Sequence, residues 1–310
     1  MKLVNYGNSS KLVGRIGFGG WQLGNKDNWE EMSFADGVAL VKEAYAQGIR
    51  LFDTAPNYAG GMSETIIGEA LKDVREHVVI NSKVGHLADG SYDFSVTSLE
   101  TQIRDSLGRL QTNYLDSVIL HNPQTEVLQG KTGHFPELKR LRELGLIRAY
   151  GVSIDTYQEL KTTIEKTDSQ VIEILFNAFF QEPAAIFPFL KARKIALLAK
   201  VPLDSGWLTG KYGQTSVFSG IRARWDEKTI RRRAILVEKL KQITGETDLT
   251  ATALAFVLSY DAVTAVIPGI RNHAQLETNI QAETRVMTLS IKQRIIDLYN
   301  QQIKNDPLPW

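Results

Sequence analysis

Four side chains able to move a proton lie where short apolar runs of this chain end. Asp53 closes the run 49–53, Tyr58 follows five residues later, Lys83 follows the run 78–82, and His121 closes the run 116–121. Each alone has an ordinary reading. An aspartate after a strand caps a helix, a loop tyrosine packs, a strand-end lysine is solvated, and a lone histidine is structural. Together, on consecutive run ends, they form a set for delivering a proton to an oxygen. A phenol ionises near about 10, too high for efficient acid work at neutral pH, so it requires a cation beside it. Lys83 would supply that charge, Asp53 would keep Lys83 charged and aligned, and His121 would hydrogen-bond the substrate oxygen. A carbonyl polarised in this way invites a nucleophile, and hydride from a reduced nicotinamide is one candidate.

Such a set works only if the runs are strands whose ends share one rim. Eight apolar runs recur along the chain, at 15–19, 49–53, 78–82, 116–121, 147–152, 171–176, 195–201 and 263–268. Several are continuously apolar, as strands of a parallel sheet buried on both faces are. Helical spacing fills the gaps: Val38, Leu40, Val41, Ala44 and Tyr45 stripe one helix that Gly48 ends, and Leu99, Ile103, Leu107 and Leu110 stripe another over 96–110. Leu138, Leu141 and Leu144 precede a capping Gly145, and further helices are expected at 230–244, 250–260 and 291–303. Residues 2–6 and 11–13 flank a Gly-Asn-Ser-Ser turn and predict a β-hairpin. The alternation predicts an α/β chain forming one closed (β/α)8 TIM barrel, with a doubly wound sheet as the alternative. Gln22 stands where a dinucleotide fingerprint starting at Gly17 needs its third glycine, and no Gly-rich Lys-Ser/Thr phosphate loop occurs.

Composition narrows the chemistry. With 310 residues, a division by roughly 150 suggests two domains, but single barrels of about 250 residues are common, and one domain over 1–310 is expected. Lys and Arg number 36 against 35 Asp and Glu, so no nucleic acid partner is expected. There is no cysteine, which removes disulfides, thiolate nucleophiles, thiolate metal sites and iron–sulfur clusters; no metal is expected. The longest apolar run, 171–180, is broken by Glu173 and Asn177 and is too short for a membrane span. The start is polar, without signal-peptide character, and the triplet Asn8-Ser9-Ser10 is read as a chance sequon. A cytoplasmic protein is the expectation.

Seven stretches, in order, carry a resemblance. They are Gly19-Gly20-Trp21-Gln22-Leu23-Gly24, Phe52-Asp53-Thr54-Ala55-Pro56-Asn57-Tyr58, Asn81-Ser82-Lys83-Val84-Gly85, Leu120-His121-Asn122-Pro123, Tyr150-Gly151-Val152-Ser153, the run from Pro202 to Lys211, and Ile267-Pro268-Gly269-Ile270-Arg271-Asn272. In these the chain resembles the aldo-keto reductase superfamily over nearly its full length. The resemblance implies a single (β/α)8 barrel with an N-terminal hairpin plugging its base and an extra C-terminal helix. It implies reversible NAD(P)H-dependent reduction of an aldehyde or ketone, with Tyr58 as general acid, Lys83 and Asp53 tuning it and His121 orienting the carbonyl. Trp21, Trp29, Tyr58, His121 and Asn122 would line the pocket for a small carbonyl substrate. The cofactor would lie extended over the mouth, meeting Gly20, Trp21, Asp53, Ser153, Glu173 and Lys200. Pro202, Leu203, Ser205, Gly206, Leu208 and Lys211 would cover its pyrophosphate beneath a lid at 209–226. Ile267, Gly269, Arg271, Gln275 and Asn279 would hold the adenosine end, on a helix expected at 272–283. Arg271 suits a ribose 2′-phosphate, which makes NADPH the expected cofactor and NADH the lesser.

The nicotinamide end departs from the pattern. Family members commonly carry Ser-Asn after the fifth strand, Gln on the sixth and an aromatic residue on the seventh. Here Ser153 is followed by Ile154, the Gln position holds Glu173, and the aromatic position holds Lys200. A direct Lys200–Glu173 ion pair replacing the stacked ring is the expectation. Two other readings remain open at this point: a cofactor-free barrel using Lys83 as a Schiff-base nucleophile, and a nicotinamide-binding redox sensor or regulatory subunit with little turnover.

Overall fold

The computed structural model describes residues 2–26 and 31–309; Trp29, expected to line the substrate pocket, lies outside them. Strands β1 (Leu3–Asn5) and β2 (Leu12–Gly14) pair antiparallel as the hairpin, Leu3 opposite Gly14. Eight parallel strands follow: β3 (Phe18–Gly19), β4 (Leu51–Asp53), β5 (Val79–Val84), β6 (Ser117–His121), β7 (Tyr150–Ile154), β8 (Val171–Leu175), β9 (Ala196–Lys200) and β10 (Ala265–Val266). Neighbours in sequence are neighbours in the sheet. Bridges from Ile16 to Val266 and from Gly19 to Gly269 join its two edges. That circular order is the (β/α)8 barrel, and it disposes of a doubly wound sheet. The closing seam needs glycine. A Cβ on Gly19 would lie 2.7 Å from the Ile267 carbonyl oxygen and 2.8 Å from that of Pro268.

The strands form where they do because their runs are buried on both sides. Leu51, Val79, Ile119, Val171, Leu198, Ala265 and Ile267 pack with Tyr6 and Val13 of the hairpin in one cluster, which puts the hairpin against the inner layer as a plug. A larger cluster joins the outer faces of the strands to the surrounding helices. The fifth strand starts three residues later than its apolar run. Ile147 makes only a lone bridge with Leu115, whereas pairing continues through Ser153 and Ile154. Ser153 is therefore a strand residue, in register with His121 and Glu173.

Helices Phe34–Ala46, Leu99–Arg109, His134–Glu143, Glu227–Thr244, Thr250–Leu258 and Leu289–Gln302 stand where periodicity puts them, and His273–Gln281 where the resemblance implies it. Four were not read, the single turn Thr125–Leu128 among them. Met62–Leu71 buries Ser63, Glu64 and Gly68 beside Ile66 and Ile67, so no clean apolar stripe marks it. Phe187–Ala192 is short and carries Pro188 in its first turn, where proline is compatible with a helix. Tyr157–Lys166 did have a legible signal, the capping box of Thr156 and Glu159. Among the described residues, no helix is long and apolar enough to cross a membrane.

Candidate active site

The ends of β4, β5, β6, β7 and β9 deliver the expected polar side chains to one mouth. Lys83 is fully buried, with its Nζ 2.6 Å from Asp53 Oδ1 and 3.3 Å from Glu173 Oε2. It also donates to the Thr54 carbonyl at 3.0 Å. The ammonium lies 5.0 Å from the centre of the Tyr58 ring. Lys83 is therefore shared by two carboxylates, one of which, Glu173, the sequence assigns to the cofactor and to Lys200 and not to Lys83. Burial works against its charge, but Asp53 and then Glu173 outweigh it and push the ammonium above its ordinary range. Two carboxylates facing one ammonium do not fare alike. Burial and then the Glu173 charge push Asp53 up to about 7, although Lys83 pulls the other way. Burial would also raise Glu173, but Lys83 and Lys200 hold it below the usual carboxylate range.

Tyr58 follows a tight turn after β4, and the chain beyond it passes through Ala59, Gly60 and Gly61, all at positive φ. Burial pushes its phenol above the free value; Lys83 pulls it down as a charge and hydrogen-bond partner, but does not win. The expected lowering of the phenol by Lys83 is thus present and outweighed, and Tyr58 keeps its proton. Burial, then Lys83, His86 and Lys200, hold His121 well below the ordinary imidazole value, so its ring is neutral. Its Nδ1 is buried without a hydrogen-bond partner. The His121 ring stands edge-on to Tyr58 at 6.2 Å and stacks on His86 at 4.2 Å. His86, packed in turn by Tyr92 and Phe94, escaped notice because it follows the Lys83 run by three residues, past Gly85.

The expected direct ion pair between Lys200 and Glu173 is absent. Ser153 lies between them: its Oγ donates to Glu173 Oε1 at 3.1 Å and accepts from Lys200 Nζ at 2.8 Å. Lys200 takes Asp155 as its ionic partner at 2.9 Å and donates to Asn122 Oδ1 at 3.2 Å. The reason is competition, since Lys83 already engages Glu173. Asn122, expected in the substrate pocket, is thereby engaged at the rim by Lys200, and Ser153 is fully buried.

After β9 the chain is strained. Val201, Asp204 and Ser205 have φ of 52°, 47° and 54°, followed by Gly206 at 100°. Non-glycine residues there, a β-branched valine above all, persist only where surroundings hold them. Here Asn177 Nδ2 donates to the Val201 carbonyl at 3.0 Å. Asp204 forms a wholly buried ion pair with Arg233, which also donates to the Pro309 carbonyl at 2.6 Å. The lid expected at 209–226 is partly ordered as a 3-10 turn, Gly220–Arg224, and pinned by Phe218 and Trp225 against the buried Trp207 at 5.3 and 5.8 Å. It brings two cations that sequence reading left out. Arg222 Nε donates to the Ser205 carbonyl at 2.9 Å, and Arg224 reaches Ser205 Oγ at 3.3 Å.

Comparison with protein families matches residues 15–295 to the aldo/keto reductase family. The chain belongs to that family. An uncharacterised oxidoreductase of Mycobacterium bovis is 33% identical over 280 residues, covering 87% of this chain and 84% of its own. An Escherichia coli relative named NADH-specific methylglyoxal reductase is 26% identical over 314 residues, 91% of this chain and 93% of its own. In solved structures, the holo form of an aldo-keto reductase from Bacillus halodurans superposes with a TM-score of 0.79 at 25% identity, covering 96% of each chain. The protein is accordingly an oxidoreductase of a family that uses nicotinamide cofactors and small-molecule substrates.

The aldo/keto reductase residues expected around a dinucleotide fall into three groups here. Gly20 is an internal packing position, because a Cβ would lie 2.7 Å from both the Asp53 carbonyl oxygen and Ser63 Oγ. Trp21 is partly exposed beside it. Pro202, Leu203, Ser205, Gly206 and Leu208 line the strained turn, and Lys211 lies beyond it with its Nζ 4.9 Å from the centre of the Tyr212 ring. Ile267, Gly269 and Arg271 lead into the helix His273–Gln281, capped by Asn272. Gln275 spends its carbonyl oxygen on the Arg271 N–H at 2.9 Å, so that group faces the helix start. Asn279 is buried with its Nδ2 unpartnered. An amide donor left orphaned at that position, and cations around Ser205, fit a ligand with acceptor nitrogens at one end and phosphates in the middle.

Proposed function

We propose that this aldo/keto reductase, a single barrel unit over residues 1–310, reduces the carbonyl of a small aldehyde or ketone in the cytoplasm, with NADPH as reductant. The carrying observation is the buried Lys83, 2.6 Å from Asp53 and 5.0 Å from the Tyr58 ring. Tyr58 acts as the acid that gives its proton to the carbonyl oxygen, and Lys83 moderates the anion left behind. Asp53 and Glu173 keep Lys83 charged, which speaks against a Schiff-base lysine, since that role needs a neutral amine. His121, neutral and next to Tyr58, donates a hydrogen bond to the same oxygen; Trp21 and Asn122 border the substrate pocket. When bound, the reduced nicotinamide supplies the hydride.

Ser153 and Glu173 hold the carboxamide end once Lys200 yields Ser153, while Arg222, Arg224 and Lys211 neutralise the pyrophosphate above the strained turn. Arg271 selects the 2′-phosphate and Asn279 meets the adenine. Arg271→Ala is expected to weaken NADPH binding about tenfold to a hundredfold, the worth of a charge-assisted phosphate contact, and to move NADH binding less than about twofold. Fluorescence titration with both cofactors checks this; equal losses for the two would assign Arg271 another role. The function itself is tested by assaying a carbonyl panel, 4-nitrobenzaldehyde and methylglyoxal included, with NADPH and NADH. Cofactor binding without turnover of any carbonyl would favour a nicotinamide-binding regulator, and absence of cofactor binding would overturn the reading.

A further inference from the structure

Polar side chains cross the barrel interior from the plug to the mouth. Tyr6, in the hairpin turn, has its OH 2.7 Å from Ser117 Oγ on β6. Ser117 Oγ donates to Asn81 Oδ1 on β5 at 2.5 Å, and Asn81 Nδ2 donates to Asp53 Oδ2 at 2.7 Å. Asp53 turns its other oxygen to Lys83 at 2.6 Å. Tyr6, Ser117 and Asn81 are all buried. Around them the same layer is filled by Leu51, Val79, Ile119 and Val171, which need no partners at all. Three polar groups in such a layer each require a hydrogen bond, and an apolar filling would be the simpler way to close a barrel base.

The direction of the hydrogens is fixed by the chemistry of the end groups. An ionised Asp53 only accepts, so the NH2 of Asn81 must face it and the amide oxygen must face Ser117. Ser117 has one hydrogen and gives it to that oxygen, so Tyr6 must be the donor to Ser117. Every hydrogen in the chain therefore points toward the carboxylate, and the amide cannot flip without breaking two bonds. A primary amide does not pass protons along readily, so the arrangement orients and does not conduct.

We propose that Tyr6, Ser117 and Asn81 are positioning residues that hold Asp53 as a carboxylate aimed at Lys83, so that the N-terminal plug sets the state of the proton-donating centre. This rests on the reading of Tyr58 as the acid. The charged and titratable groups facing Asp53 are Lys83 from β5, Glu173 from β8 and Tyr58 from the loop after β4. Burial and Glu173 favour the protonated carboxyl, while Lys83 and the Asn81 N–H oppose it. Removing the relay removes one of the two opponents, so Asp53 takes up its proton at higher pH.

The test follows the Asp53 carboxyl directly, by carbon NMR of protein labelled at aspartate, in Tyr6→Phe, Asn81→Leu and Ser117→Thr. The midpoint is expected to rise by about half a unit in Tyr6→Phe and about one unit in Asn81→Leu, and to stay in place in Ser117→Thr, which keeps the hydroxyl. The acid limb of kcat/KM for 4-nitrobenzaldehyde with NADPH should move upward with it, while NADPH affinity stays within about twofold. A Tyr6→Phe protein that only melts earlier, with the Asp53 midpoint unmoved, overturns the proposal, and it suffices alone should Asn81→Leu fail to fold. The two readings fail separately. Turnover surviving in Tyr58→Phe sinks the acid assignment, whereas an unmoved Asp53 midpoint sinks the relay alone.

Discussion

Tyr58→Phe is expected to lower kcat for carbonyl reduction by about a thousandfold or more while leaving cofactor affinity within about twofold. Among the described residues at the mouth, the phenol is the group that both holds a proton firmly and stands next to a fixed cation. Burial raises it, Lys83 restrains the rise, and the ring lies edge-on to a neutral His121. Phenylalanine keeps the ring and its packing, so the fold and the rim stay intact and only the proton is lost. Single-turnover kinetics with preloaded cofactor separate this from a binding defect. A loss confined to KM would show that Tyr58 merely contacts substrate, with the proton coming from elsewhere.

Lys83→Met is expected to do double damage. It removes the cation that moderates Tyr58, and it leaves Asp53 and Glu173 buried against each other with no charge between them. Breaking a buried ion pair from one side costs about 3–5 kcal/mol, because the remaining charge is uncompensated. The sign with pH follows from the direction of the shifts. Without Lys83 both carboxyls rise above their unfolded values near about 4, so the folded form binds protons that the unfolded form releases. Stability is then kept below that range and lost as pH rises through the raised folded values. Urea unfolding should therefore find the variant near wild type in acid and weakest at neutral pH and above. Adding Glu173→Gln should restore about half of the neutral-pH loss, since one of the two like charges is gone. A loss independent of pH would mean that packing of the lysine stem, and not its charge, is what matters.

Much of the ring was legible because a barrel strand buried on both faces writes itself as an apolar run, and because Asp53, Lys83 and His121 each stand at the end of one. What the sequence could not convey is who meets whom across the interior. Glu173 reads as a strand residue aimed at a cofactor, yet it shares Lys83 with Asp53 and leaves Lys200 to Asp155. Arg222 and Arg224 sit in a loop without periodicity, and only folding of that loop onto Trp207 brings them to Ser205. His86 carries no local signal, since its meaning comes from the His121 ring stacked on it. Periodicity reports which face is buried; it is silent on pairing between side chains whose strands lie far apart in the chain.

The seam of the barrel joins residues from the two extremes of the chain, Ile16 to Val266 and Gly19 to Gly269. Pairings that distant in sequence are the slowest to find, because the whole intervening chain must be closed into a loop first. β4, β5 and β6 can dock on one another as neighbours, which brings Asp53 and Lys83 together early. Glu173 comes from β8, and the loops at Ser205 and Asn272 come later still. In a chain made from its N-terminus, the strands carrying Asp53 and Lys83 are therefore expected to pair before those carrying Glu173 and the loops at Ser205 and Asn272, so that Lys83 would gain its second carboxylate only late in closing the ring.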